Sequence, residues 1–158
     1  MTVFTVGRWV SAVWALTAAM VLGGCDLSAL ASVEDQRRSL WREGRPVEYS
    51  FILDSGCGER SLIGRFAVTV RSNRVADVEA LDESARSVLE RGWPGIVPTL
   101  DALLRELDDA RRAGADVADA EFDPDDGHVT AVDLDYDADA TDDEACYRIS
   151  GYTPDDVG

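Results

Sequence analysis

The sequence predicts an α+β domain in which two helix-strand-strand-strand units form a six-stranded antiparallel sheet with helices on one face. Apolar and polar residues alternate in several short segments, as they do in half-buried strands. Leucines recur at helical spacing in a segment that separates two groups of such strands. Two cysteines, one just after the first alternating segment and one at the start of the last, are expected to form a disulfide that connects the two groups.

The first unit begins with a helix predicted over 32–43, with Ser32 as its N-cap and Gly44 as its stop signal. Three alternating segments follow, and Ser72-Asn73 is typical of a tight turn between the second and the third. The predicted strands cover 47–53, 66–70 and 74–80. The segment 82–98 combines a candidate helical turn with two glycines and two prolines, so we interpret it as a connector.

The second unit begins with an amphipathic helix for which Thr99 is the predicted N-cap and Gly114 the stop. Its apolar face is formed by Leu100, Leu103, Leu104 and Leu107. The segment 123–127 supplies turn residues between two of the strands that follow. The predicted strands cover 116–122, 129–137 and 145–152.

The N-terminus is typical of an export signal. The apolar run from Trp9 to Leu22 has about 14 residues, fewer than the roughly 20 that span a bilayer. Leu22-Gly23-Gly24-Cys25 matches the lipobox pattern, in which the cysteine carries the lipid; a buried core helix is the alternative. We therefore expect a signal peptide at 1–24, the lipidated Cys25 with a short tether at 25–31, and one domain at 32–154.

This organisation predicts a lipid-anchored protein on the extracytoplasmic side of a cell membrane. Two acyl chains on Cys25 are enough for stable anchoring without a transmembrane helix. Without residues 1–24 the chain has 14 basic and 31 acidic residues, a net charge of −17. Such a surface repels nucleic acid and anionic headgroups, so we expect no nucleic-acid partner and membrane contact only through the lipid.

Cys57 and Cys146 form an even pair once Cys25 carries lipid, and exported proteins retain disulfides. A reactive thiol or a zinc site is the alternative, but His128 is the only histidine available as a ligand. Because Cys57 follows the first strand and Cys146 begins the last, a disulfide makes these strands antiparallel neighbours. The predicted strand order is therefore 3-2-1-6-5-4.

An acidic segment at 121–144 contains eleven carboxylates and no arginine. From Asp133 to Glu144, carboxylates occupy positions 1, 3, 5, 7 and 12 of an EF-hand calcium loop, with Ala138 where that loop has glycine. One interpretation is thus a Ca²⁺ site in the loop before the last strand. Its candidate ligands are Asp137, Asp139, Asp142, Asp143 and Glu144.

Strand alternation supports a second interpretation of the same residues. Asp133, Asp135 and Asp137 alternate with residues that face the core, so they line the solvent side of a strand, and a strand cannot wrap a metal ion. Arg148 is a candidate cross-strand partner for these aspartates. The segment is then a solvated acidic face.

Catalytic residues are not indicated by the sequence. His128 follows an acidic turn, where a lone histidine is typically solvated rather than a general base. The segment 55–58 does not match a nucleophile elbow, and Cys57 is explained by the disulfide. We therefore do not expect an enzyme; a hydrolase that uses paired carboxylates is the remaining enzymatic alternative.

The order of motifs resembles an uncharacterised family of small exported bacterial lipoproteins, domain of unknown function 6174 (DUF6174). The matching motifs are Tyr49-Ser50-Phe51, Val68-Thr69-Val70-Arg71, Pro98-Thr99, Phe122-Asp123-Pro124 with Gly127, the acidic residues 133–137, and Asp143-Glu144 with Tyr147. The resemblance covers about 41–152 and implies an exported lipoprotein domain without implying a reaction. This sequence departs from the family pattern at Ser72-Asn73 and at His128-Val129.

The function expected from these observations is binding rather than catalysis. A net charge near −17 attracts basic partners and repels acidic ones. We expect a membrane-tethered domain that binds a protein or another cationic ligand and that requires no cofactor. The alternative is a Ca²⁺-binding module that uses the loop 137–144.

Overall fold

The computed structural model of this chain describes residues 27–58, 61–92, 94–140 and 143–155. Within them the chain forms an α+β fold with three helices, a 3₁₀ turn and an open six-stranded sheet. In chain order the elements are α1 (Leu27–Gly44), β1 (Glu48–Ser55), β2 (Gly64–Arg71), β3 (Arg74–Ala80), α2 (Glu83–Glu90), the 3₁₀ turn (Pro94–Ile96), α3 (Leu100–Ala113), β4 (Val117–Phe122), β5 (Val129–Asp135) and β6 (Ala145–Asp155). The predicted signal peptide and Cys25 lie outside the described residues.

The strands are ordered β3-β2-β1-β6-β5-β4, and each neighbouring pair is antiparallel. The predicted order is confirmed. Each group of three strands forms a meander, and the two meanders join where β1 pairs with β6, with Leu53 opposite Ile149. A register shift between Ser50 and Ile52 interrupts that central pairing.

One face of the sheet is covered by helices. Helix α2 packs on β2 and β3, α3 packs on β4 and β5, and α1 contacts β4. Alternate strand residues point into this layer, so Tyr49, Phe51 and Leu53 of β1 are almost fully buried. Burial of such side chains contributes the main favourable term to folding.

The disulfide between Cys57 and Cys146 is formed, with the two Cα atoms 5.3 Å apart. Cys57 lies two residues after the end of β1, and Cys146 is the second residue of β6. The amide of Gly56 donates to the carbonyl of Cys146 over 3.4 Å, which continues the pairing of the two strands toward the bridge. The disulfide therefore fastens the junction between the two meanders.

The interpretation of 82–98 as a connector was wrong, because residues 83–90 form helix α2. Asp82 caps this helix by accepting a hydrogen bond from the amide of Ala85. Ala85 and Val88 lie three residues apart and are both buried, so even an eight-residue helix presents an apolar stripe to the sheet. The domain consequently has two helices between its meanders, where the sequence pattern suggested one.

Most other boundaries also differ from the predicted ones, and the larger differences are at α1, β5 and β6. Helix α1 starts at Leu27 rather than at Ser32, because the segment 27–31 contains neither glycine nor proline and continues the helical run. Strand β5 ends at Asp135, and β6 extends to Asp155. The boundaries of α3 are as predicted, since Thr99 accepts from the amide of Ala102 and Gly114 ends the helix in a left-handed conformation.

None of the helices in the described ranges is both long and apolar enough to cross a membrane.

Candidate functional site

The face of the sheet opposite the helices is acidic at the end formed by β4 and β5. We call the carboxylates of Asp119, Glu121, Asp133 and Asp135 the acidic face. Asp119 lies directly opposite Asp133, and Glu121 lies opposite Ala131, so the four side chains project from two paired strands on the same side. The helices pack on the other side, and this side is not covered by any described element.

Asp133 is the one member of the acidic face that is neutralised within the described residues. Both terminal nitrogens of the Arg148 guanidinium group donate to it, Nη1 to Oδ1 over 2.8 Å and Nη2 to Oδ2 over 3.0 Å. The predicted cross-strand pairing with Arg148 is therefore observed. This pair also relieves the repulsion that two directly opposed aspartates, Asp119 and Asp133, would otherwise exert.

The other three carboxylates form no ion pair with a described residue. Asp119 and Glu121 are exposed and Asp135 is half-buried. Because β4 is an edge strand of the sheet, its charges also discourage edge-to-edge association with a second chain. The result is a rigid, solvent-facing array of negative charge on a sheet whose opposite side is packed.

The predicted calcium loop follows β5. Asp137 and Asp139 lie in tight turns, in which Oδ1 of Asp135 accepts from the amide of Asp137 and Oδ1 of Asp137 accepts from the amide of Asp139. Asp143 and Glu144 lie just before β6, whereas Asp142 falls outside the described residues. In the described part of the chain, the carboxylates of this loop do not form a group of three within 4.8 Å.

One atom of that loop is nevertheless unsatisfied. Oδ1 of Asp143 is buried and has no hydrogen-bond partner among the described groups. A buried carboxylate oxygen without a partner is costly, and a bound cation or a hydrogen-bond donor would relieve it. The calcium hypothesis thus stays a prediction, with Asp143 as the residue on which it depends.

A different group of potential ligands was not anticipated from the sequence. Asp123, Asp126 and His128 bring one oxygen or nitrogen each to within 4.8 Å of one another. Oδ1 of Asp123 accepts from the amides of Asp125 and Asp126, and the Asp125 hydrogen bond is the main reason that the pKa of Asp123 is lowered. These contacts form the turn between β4 and β5.

The interpretation of His128 as a solvated turn residue was wrong, because only 8% of it is exposed. Its ring stacks on Tyr152 with centroids 4.2 Å apart, and its Nδ1 lies 2.6 Å from Oδ1 of Asp126. Tyr152 is also packed against Trp41 and Tyr49, and desolvation is the main cause of its raised pKa. His128 is therefore part of an aromatic cluster that joins β1, β6 and α1.

The model of a family of unknown function, DUF6174, matches residues 34–154, a range that contains β1 to β5 and all of β6 except its last residue. No curated protein matches the chain, and no solved structure matches it.

Proposed function

Because this chain belongs to DUF6174, a family of unknown function, we propose its function from its own geometry: a lipid-anchored exported domain that binds a cationic partner through the acidic face. The observation that carries this proposal is the uncovered array of Asp119, Glu121 and Asp135, three carboxylates without an ion pair in the described residues. A binding role needs only a preformed surface, which a disulfide-fastened sheet provides.

The electrostatics favour a basic protein surface as the partner. The chain carries 31 acidic and 15 basic residues, so its long-range field already attracts cations. The acidic face concentrates that field on one side of the domain, and Asp133 is held in place by Arg148. Complementary charge of this kind raises association rates and selects partners more than it raises affinity.

The lipid anchor is supported by the sequence at 22–25, where two glycines precede Cys25. In that arrangement the acyl chains hold the protein on the extracytoplasmic side of the membrane, and the described domain begins almost directly after the modified cysteine. Net negative charge keeps the domain off anionic headgroups, which leaves the acidic face available to a partner. The role is non-enzymatic.

A decalysine peptide titrated into the isotopically labelled protein tests the binding surface. We expect amide shifts to concentrate on β4, β5 and β6, and the affinity to fall as salt rises because these charges are exposed. The triple variant Asp119→Asn, Glu121→Gln, Asp135→Asn should weaken binding by about tenfold, since each exposed pair contributes a few tenths of a kcal/mol to about 1 kcal/mol.

A control variant removes the same charge from the helices, by Glu43→Gln, Glu90→Gln and Asp109→Asn, all at exposed positions. This control should weaken peptide binding by less than about twofold if the acidic face is the binding surface. Equal weakening in both triple variants, or shifts spread evenly over the helices, would show that the peptide responds to net charge alone and would contradict the proposal.

A calcium-binding module is the second candidate, and the unpartnered Oδ1 of Asp143 is the observation that favours it. Asp137, Asp139 and Glu144 lie in the same loop and offer further oxygen ligands of the kind that Ca²⁺ prefers. Binding would require the loop to close around the ion, because its described carboxylates are more widely spaced than a coordination sphere.

Thermal unfolding with excess Ca²⁺ and with excess chelator separates the two candidates. At 100 times its dissociation constant a ligand adds about 2.7 kcal/mol to stability, so a calcium module should gain several degrees. That gain should disappear in Asp143→Asn and persist in Asp109→Asn, an exposed aspartate of α3. An equal rise of the thermal midpoint in Na⁺ at the same ionic strength would contradict calcium binding.

A further inference from the structure

A cleft of about 400 Å³ lies between α1 and α3, on the helical side of the domain and away from the acidic face. Four arginines line it: Arg38, Arg42 and Arg45 from α1 and the segment after it, and Arg105 from α3. The chain has only 15 basic residues in all. A strongly acidic protein thus gathers more than a quarter of its basic residues around one opening.

Two of the four arginines are fixed by aspartates of α3. Arg38 donates from Nη2 to Oδ1 of Asp108 over 2.7 Å. Arg45 pairs with Oδ2 of Asp101, whose other oxygen accepts from the indole Nε1 of Trp41 over 2.9 Å. Both oxygens of Asp101 are therefore engaged, and the wall of the cleft is held together by these contacts.

The other two arginines have no carboxylate partner in the described residues. Arg42 donates to the carbonyl of Arg38 and to the hydroxyl of Ser39, both neutral groups. Arg105 is exposed and forms no described ion pair. Arg42 belongs to α1 and Arg105 to α3, so each wall of the cleft carries one guanidinium that is free to bind an anion.

The charge balance of the lining supports an anionic occupant. Asp101 and Asp108 are neutralised by Arg45 and Arg38, which leaves two arginines against a single further aspartate, Asp35. Carboxylates outnumber basic residues about two to one in this chain, yet the lining of this cleft has four arginines against three aspartates. The guanidinium fork matches the geometry of carboxylate and phosphate oxygens.

We propose that this cleft binds a small soluble polyanion, a molecule with two or more phosphate or carboxylate groups, which bridges Arg42 and Arg105. The volume is in the range of small-molecule sites, and the fixed pairs preorganise the walls around it. The two anionic groups contact one free guanidinium each. The acidic face is on the opposite side of the sheet, so the two sites take ligands of opposite charge.

Calorimetric titration with pyrophosphate and with citrate tests the proposal. We expect both probes to bind and the double variant Arg42→Gln, Arg105→Gln to lower their affinity by about tenfold or more, because two charge-assisted contacts are lost. The fold should be retained, since neither arginine takes part in a described ion pair, and circular dichroism and the thermal midpoint check this.

The matched control is the double variant Arg86→Gln, Arg112→Gln. Both residues form exposed ion pairs within their own helices, α2 and α3, and lie outside the cleft. This control removes the same charge and should change the affinity by less than about twofold. Equal losses in the two double variants, or no binding of either probe to the unmodified protein at millimolar concentration, would overturn the proposal.

A lipid headgroup carries the same phosphate chemistry, so vesicles of phosphatidylglycerol form the second arm of the test. The protein with Cys25→Ser is used, because its own anchor would otherwise bring it to the vesicles. We expect no vesicle binding that depends on Arg42 and Arg105. Vesicle binding that the double variant abolishes, without pyrophosphate binding, would overturn the assignment to a soluble anion.

Discussion

Replacing both bridge cysteines, by Cys57→Ser and Cys146→Ser, is expected to lower the free energy of unfolding by about 4 to 5 kcal/mol. The bridged residues are 89 positions apart, and a cross-link over so long a segment strongly restricts the unfolded chain. In the folded state it fastens β1 to β6, the pair that joins the two meanders. Urea unfolding of the unreduced protein and of the double variant measures the difference.

The control for this prediction is Cys25→Ser, which removes a cysteine without touching the bridge. Its unfolding midpoint should match that of the unmodified protein, and adding a reducing agent should lower the midpoint in both. A loss below about 1 kcal/mol in the double variant would mean that the sheet alone holds the meanders together.

Gly127→Ala is expected to cost about 3 kcal/mol of unfolding free energy. Gly127 has φ of +75°, a conformation that side chains rarely adopt, and a Cβ atom there would overlap the carbonyl of Arg37 in α1. The backbone of α1 cannot yield without moving Trp41, which is 1% exposed. Arg37 also donates to the carbonyl of Pro124, so the turn between β4 and β5 packs against α1.

Gly114→Ala separates the two causes of this loss. Gly114 has a similar φ of +81° at the end of α3, but a Cβ atom there would meet nothing within 4 Å. Gly114→Ala should lower the free energy of unfolding by only about 1 kcal/mol, which is the conformational part of the effect. If chemical denaturation shows equal losses for the two variants, the close approach of the turn to α1 contributes nothing to stability.

Strand order was predictable because two local signals agreed. Alternation located the strands, and the positions of Cys57 and Cys146 made the first and last strands neighbours. Helix α2 was predicted only as a helical turn within a connector, because Gly92 and Pro94 are typical of a loop. The signal that could have found it is Asp82, an N-cap immediately before a segment in which Ala85 and Val88 have helical spacing.

Of the candidate sites too, one was predictable from the sequence and others were not. The acidic face follows from strand alternation, and its pairing with Arg148 was predictable because the partner strand was identified. The burial of His128 depends on Tyr152, and the arginine cleft depends on contacts such as that of Trp41 with Asp101, 60 positions away in the chain. Neither pairing has a local signal, since periodicity describes which face of an element is apolar but not which element covers it.

The local elements of this protein and its charge follow from the amino-acid sequence: where strands alternate, where α3 is capped, and that carboxylates exceed basic residues. Which of these charges are neutralised depends on how the helices and strands pack. Packing placed aspartates of α3 against arginines of α1 and of the segment after it. It left Arg42 and Arg105 without carboxylate partners among the described residues, and it left Asp119 and Glu121 exposed to water. The reason is that ion pairing depends on distance in space, which the approach of helices and strands sets, whereas sequence patterns report only neighbours along the chain.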